Sequence, residues 1–156
     1  MEPALHPDVA PIAFLLGAWR GEGRGEYPTI EPFGYIEEIE FRHVGKPFLA
    51  YSQRTRATDD GRPLHSESGY WRCTAEGALE VILAHPTGVT EIAQGRVVGT
   101  KIELGSTTLG LSSTAKQVDK LERFFEVDGD TLTYRLSMAA VGVPLTHHLS
   151  ATLRRT

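Results

Sequence analysis

The chain has 156 residues, of which 40% are hydrophobic and 23% charged, and its formal net charge is -4. That size fits one domain, residues 1–156, with a core of its own. The acidic balance argues against nucleic acid, whose phosphates call for a basic patch, and no window of about 18 apolar residues reads as a membrane span.

The first residues, "MEPALHPDVAPIAFLL", start acidic and lack the basic region of a signal peptide. Cys73 is the single cysteine, which rules out an intrachain disulfide and makes a reducing, cytoplasmic location the default expectation. Asp8 can cap a short helix over residues 7–16, and Pro11 limits its length. Then comes "LLGAWRGEGRGEYP" (15–28), with Gly17, Gly21, Gly23 and Gly25 around Trp19. Glycine at such intervals lets backbones bend or approach closely, at a cost to strand stability.

Strand signals follow. "FGYIEEIEF" (33–41) puts Phe33, Tyr35, Ile39 and Phe41 on one face with Glu37 among them. Further strands are expected over 47–55, 66–74, 79–85, 88–95, 97–104, 107–114, 120–127, 131–140 and 145–155. Hairpin turns are expected at Asp59–Gly61, Ala75–Gly77, His85–Gly88, Gln94–Gly95 and Asp128–Asp130. About ten short strands with short connections imply an antiparallel meander, and closing it removes the exposed edges. A barrel of that width is not filled by its own side chains and holds a site for a small ligand. Trp19 is expected to plug one end of it while the glycines let the chain bend past.

The six histidines, His6, His43, His65, His85, His147 and His148, show no metal-binding spacing. His6 lies in the terminus, His43 ends a strand, and His65 and His85 flank turns, so all four read as surface or capping residues. His147 and His148 sit inside a strand, where parity puts them on opposite faces. One of them should enter the barrel and need a partner there. His147 shares its face with Leu149, Ala151 and Leu153, but parity alone does not choose. "GEGRGE" lacks the βα unit of a dinucleotide site, and "HSESG" lacks the glycine of a nucleophile elbow.

Taken together, "GAWRGEG" (Gly17, Trp19, Gly21 and Gly23 of a GxWxGxG signature), "YPTIEPFGYIEE" (27–38), "HVGKPFL" (43–49), "GYWR" (69–72), "TGVTE" (87–91) and "PLTHHL" (144–149) resemble the nitrobindins. The resemblance implies an all-β, ten-stranded antiparallel barrel of the fatty-acid-binding type that holds one haem b. It implies that His148, which precedes Leu149, is the axial ligand of the iron and the catalytic residue. Thr29 of "YPT" is implied to touch the haem, and Lys116 to meet a propionate. The implied activity is isomerisation of peroxynitrite to nitrate on ferric haem, with nitric oxide as a further ligand and a homodimeric assembly. The residues offer no evident distal acid–base pair. The competing reading is a non-enzymatic carrier of a fatty acid or another small apolar ligand.

Overall fold

The computed structural model describes residues 1–156. Ten strands run in chain order: β1 (Gly17–Tyr27), β2 (Ile30–Arg42), β3 (Leu49–Ala57), β4 (Pro63–Cys73), β5 (Ala78–His85), β6 (Val89–Val98), β7 (Lys101–Leu111), β8 (Val118–Asp128), β9 (Thr131–Ala140) and β10 (Val143–Arg155). Each pairs antiparallel with its neighbours in sequence, and β1 pairs with β10 to close the barrel.

A 3-10 helix, Pro7–Leu15, precedes β1. Its cap is His6, whose Nδ1 accepts from the Asp8 amide at 3.1 Å, where the sequence pointed to Asp8 as the cap. Val9, Ile12 and Leu15 are fully buried and the helix lies against β4.

The glycine-rich segment is itself the first strand. A Cβ on Gly23 would collide with the ring of Tyr35, and one on Gly25 with the ring of Phe33. Gly23 pairs with Tyr35 and Gly25 with Phe33 across β1 and β2, so each aromatic ring lies over a glycine that has made room for it. The burial gained outweighs the entropy that glycine costs a strand. Trp19 closes this end of the barrel as expected: it is 1% exposed and its indole N–H donates to the Leu15 carbonyl at 2.9 Å. Arg155 stacks 4.1 Å from the Trp19 ring and donates to the carbonyls of Phe14 and Leu16, so the last strand clamps the end of the helix.

Two boundaries differ from the sequence reading. Gln94–Gly95 is no turn, because β6 continues to Val98 and the chain reverses at Gly99–Thr100. The expected strands 97–104 and 107–114 therefore merge largely into β7. Gly95 is an interior close-approach glycine, since a Cβ there would strike the Glu103 carbonyl across the sheet.

Candidate functional site

The connections β1–β2, β3–β4, β5–β6, β7–β8 and β9–β10 lie at the end opposite Trp19. This end is a mouth. Inward positions that are sealed elsewhere are only half-buried here: Phe33, Leu109, Met138 and Leu149. The β7–β8 ladder runs only from Lys101↔Glu126 to Gly105↔Glu122. Beyond it, Ser106 keeps the two strands in touch: its hydroxyl accepts from the Leu121 amide at 2.9 Å and its carbonyl from Lys120 Nζ at 2.8 Å.

His148 stands in this mouth on a β-bulge. Between His147 and Leu149 the chain of β10 takes two steps while β9 takes one, from Ser137 to Leu136. His148 is the inserted residue, and bulges re-aim side chains in this way. Simple parity from Leu149 would have turned His147 inward. The bulge cancels that: His147 pairs with Ser137, which alternates with inward Leu136 and so lies on the outer face. The His148 ring packs edge-on against Tyr27, 5.3 Å between centroids at 69°. Tyr27 is fixed in turn, because its hydroxyl donates to the Met138 carbonyl at 2.9 Å and accepts from the Ala140 amide at 3.0 Å.

His148 Nδ1 lies 2.9 Å from the Glu26 carbonyl oxygen. A carbonyl only accepts, so Nδ1 carries the proton and Nε2 carries the lone pair. Burial holds the imidazole below its ordinary value, against the pull of the Glu26 hydrogen bond, with smaller contributions from His147 and His65. His148 is thus a neutral imidazole whose free nitrogen makes no bond within the chain. Thr29, in the β1–β2 turn, and Lys116, between β7 and β8, are exposed on the same rim.

Across the barrel from His148, β4 and β5 carry a polar network that the sequence reading missed. His65 and Glu67 are two residues apart on β4 and share its inner face; His85 faces them from the end of β5. His85 Nδ1 is 3.2 Å from His65 Nε2, and His85 Nε2 is 2.9 Å from Glu91 Oε1. Arg123 donates to Glu67 Oε2 at 3.0 Å and to Glu91 Oε1 at 2.8 Å, and the Tyr51 hydroxyl donates to Glu67 Oε2 at 3.2 Å. Burial alone would raise the Glu67 carboxyl. Arg123 and the imidazoles of His65 and His85 overcome it and hold Glu67 well below the usual carboxylate range. Arg123 is held protonated by Glu67 and Glu91 although burial opposes it.

His85 is therefore an interior residue and His65 an inward-facing one that stays partly exposed, rather than surface caps, and the barrel does hold titratable groups opposite His148. The alternation His65–Ser66–Glu67 was the available signal; the contribution of β5 could not be read without the β4–β5 register. Deeper in, Gln53 Nε2 donates to Glu37 Oε2 at 2.7 Å, while Glu37 Oε1 has no partner. Burial pushes the Glu37 carboxyl up to about 7 despite that bond.

Residues 8–155 match the model of the THAP4-like, heme-binding beta-barrel domain. The chain belongs to this family. A protein named peroxynitrite isomerase from Nocardia farcinica is 58% identical, over 97% of this chain and 93% of its own length. Peroxynitrite isomerase 2 of Mycobacterium avium is 55% identical over 99% of both chains. The crystal structure of Rv2717c from M. tuberculosis superposes with a TM-score of 0.92 at 51% identity, covering 98% of this chain and 99% of that one. These matches agree with the nitrobindin resemblance read from the motifs.

A THAP4-like barrel implies haem, and the residues present fit one. The neutral imidazole of His148 offers Nε2, its other nitrogen is held by a carbonyl as in other metal-binding histidines, and the inner wall beside it is not fully packed.

Proposed function

We propose that this chain binds one haem b through His148 Nε2 and isomerises peroxynitrite to nitrate. The observation that supports this most directly is the His148 bulge, with Nδ1 bonded to the Glu26 carbonyl and the ring held neutral. A bound ferric haem would supply Lewis-acid chemistry toward the peroxynitrite anion, and His148 is the residue that would hold it. The chain's own part is to fix a single imidazole, exclude water below the mouth with the Tyr27–Phe33–Tyr35 wall, and leave the rim open to a small anion. In this reading Thr29 touches the haem edge and Lys116 meets a propionate, both being exposed on the rim. The names of the relatives support the activity. Nitric oxide as a second ligand, a homodimer and a cytoplasmic location belong to the same reading.

The carrier reading is weaker. A fatty-acid carboxylate inside the barrel would find no free cation, since Arg123, the one buried cation, is already engaged by two glutamates.

Hemin titration tests the assignment. A Soret band is expected to form stoichiometrically, to be lost in His148→Ala and to persist in His147→Ala. Catalytic amounts of the loaded protein should speed peroxynitrite decay and raise the nitrate yield. An unchanged Soret band in His148→Ala would remove the assigned ligand.

A further inference from the structure

The geometry points to a second metal site, for one divalent ion of the zinc class, formed by His65 Nε2, Glu67 Oε1 and His85 Nδ1 on the inner wall opposite His148. The three donor atoms are separated by 3.2 Å between the imidazoles, 3.5 Å from His65 to Glu67 and 3.9 Å from His85 to Glu67. Ligands about 2.0–2.1 Å from a tetrahedral zinc lie about 3.3 Å apart. The triangle thus needs only a small contraction on its Glu67 edges. Two imidazoles and one carboxylate form a donor set of borderline softness, which suits zinc, cobalt or ferrous iron over calcium or magnesium.

The surroundings are those of a built site. His85 Nε2 is held by Glu91 Oε1, so its proton sits on Nε2 and Nδ1 presents a lone pair to the other donors. A carboxylate behind a ligating histidine is the usual means of fixing tautomer and orientation. Glu67 Oε2 is taken up by Arg123 and Tyr51, which turns Oε1 toward the two imidazoles and fixes the carboxylate for one-oxygen ligation. Two carboxylates, Glu67 and Glu91, here share the single guanidinium of Arg123, so the fixed charges around the three donor atoms favour a dication. The side chains of Glu67 and His85 are 5% and 7% exposed, while that of His65 is 32% exposed. The ion therefore has an entry path on the His65 side and an open fourth position there. The site shares no residue with the haem assignment, so either can fail alone.

Titration of the hemin-free chain with Co2+, and competition by Zn2+, tests the site. One Co2+ per chain is expected, with the ligand-field absorption of a four- or five-coordinate ion. His65→Ala, at the most exposed and least packed ligand, should weaken binding by at least about tenfold, and Glu91→Gln by about 10–100-fold. His148→Ala should leave Co2+ affinity unchanged. Near-ultraviolet circular dichroism establishes that each variant keeps its tertiary structure. The site is overturned if Co2+ does not saturate, in which case the imidazoles share only an N–H···N hydrogen bond. It is equally overturned if His65→Ala binds as tightly as the parent, or if the bound ion is lost with His148→Ala.

Discussion

The two ends of the barrel are built from the same strands by opposite rules. At the Trp19 end, alternation is strict: Trp19, Ile39, Phe41, Leu49, Trp71, Leu132 and Leu153 point in and are sealed, and the helix and Arg155 cover them. At the mouth, the ladder is bulged at His148, the β7–β8 pairing stops, and inward residues are half-buried. The first arrangement yields stability through packing and dispersion. The second gives up part of that stability and keeps an imidazole, a rim and an inner polar wall available. Stability and chemistry are thus separable along the barrel axis.

The sharpest way to break that comparison is to truncate one anchor at each end. Trp19→Ala should cost about 3–5 kcal/mol of unfolding free energy, as expected for a fully buried aromatic, read as a lowered urea midpoint. His148→Ala should cost less than about 1 kcal/mol, since the ring is half-buried and makes one backbone hydrogen bond. Equal losses at the two ends would contradict the division of labour.

The buried carboxylates sharpen the contrast within the interior. Glu37 has its carboxyl raised from 4.5 to about 7 in the folded chain. Between those values the native state holds a proton that the unfolded state has released. Its stabilisation is therefore complete below 4.5 and is lost as pH rises through 7, by about 3 kcal/mol at 1.4 kcal/mol per unit. Glu67 and Glu91 have the opposite sign, because both are lowered; their contribution is present at neutral pH and is lost on acidification below the usual carboxylate range. Urea midpoints at about pH 5 and about pH 8 should differ less in Glu37→Gln than in the parent. An unaltered pH dependence would mean that Glu37 is ionised throughout.

Smaller effects are expected on the backbone. Gly23→Ala forces a methyl group into the ring of Tyr35 and should cost about 1–3 kcal/mol, measured by thermal unfolding. At the mouth, Val141 sits in the β9–β10 turn at φ 46°, a left-handed conformation that a β-branched residue adopts only under strain. Val141→Asn should raise stability by about 1 kcal/mol, because asparagine tolerates this turn position. A loss there would show that the Val141 side chain contributes more than its backbone conformation costs.

Particular residues show how far the sequence could be read. The face shared by Phe33, Tyr35, Ile39 and Phe41, with Glu37 among them, was visible as alternation, and the strand is there. Gln94–Gly95 misled, because a glycine that makes room for a neighbouring carbonyl looks the same in sequence as one that turns the chain. His65 and Glu67 could have been paired from their spacing on one strand. His85, Glu91 and Arg123 could not, since each comes from a different strand.

The sequence by itself determined the class of fold, the closed end and the motif that names the family, because alternation, turn residues and glycine spacing act between near neighbours. Only the tertiary structure decided which histidine of the adjacent pair the bulge sets apart, and which charges meet inside. A bulge exists only relative to a partner strand, and an ion pair across a barrel depends on where closure brings residues far apart in the chain.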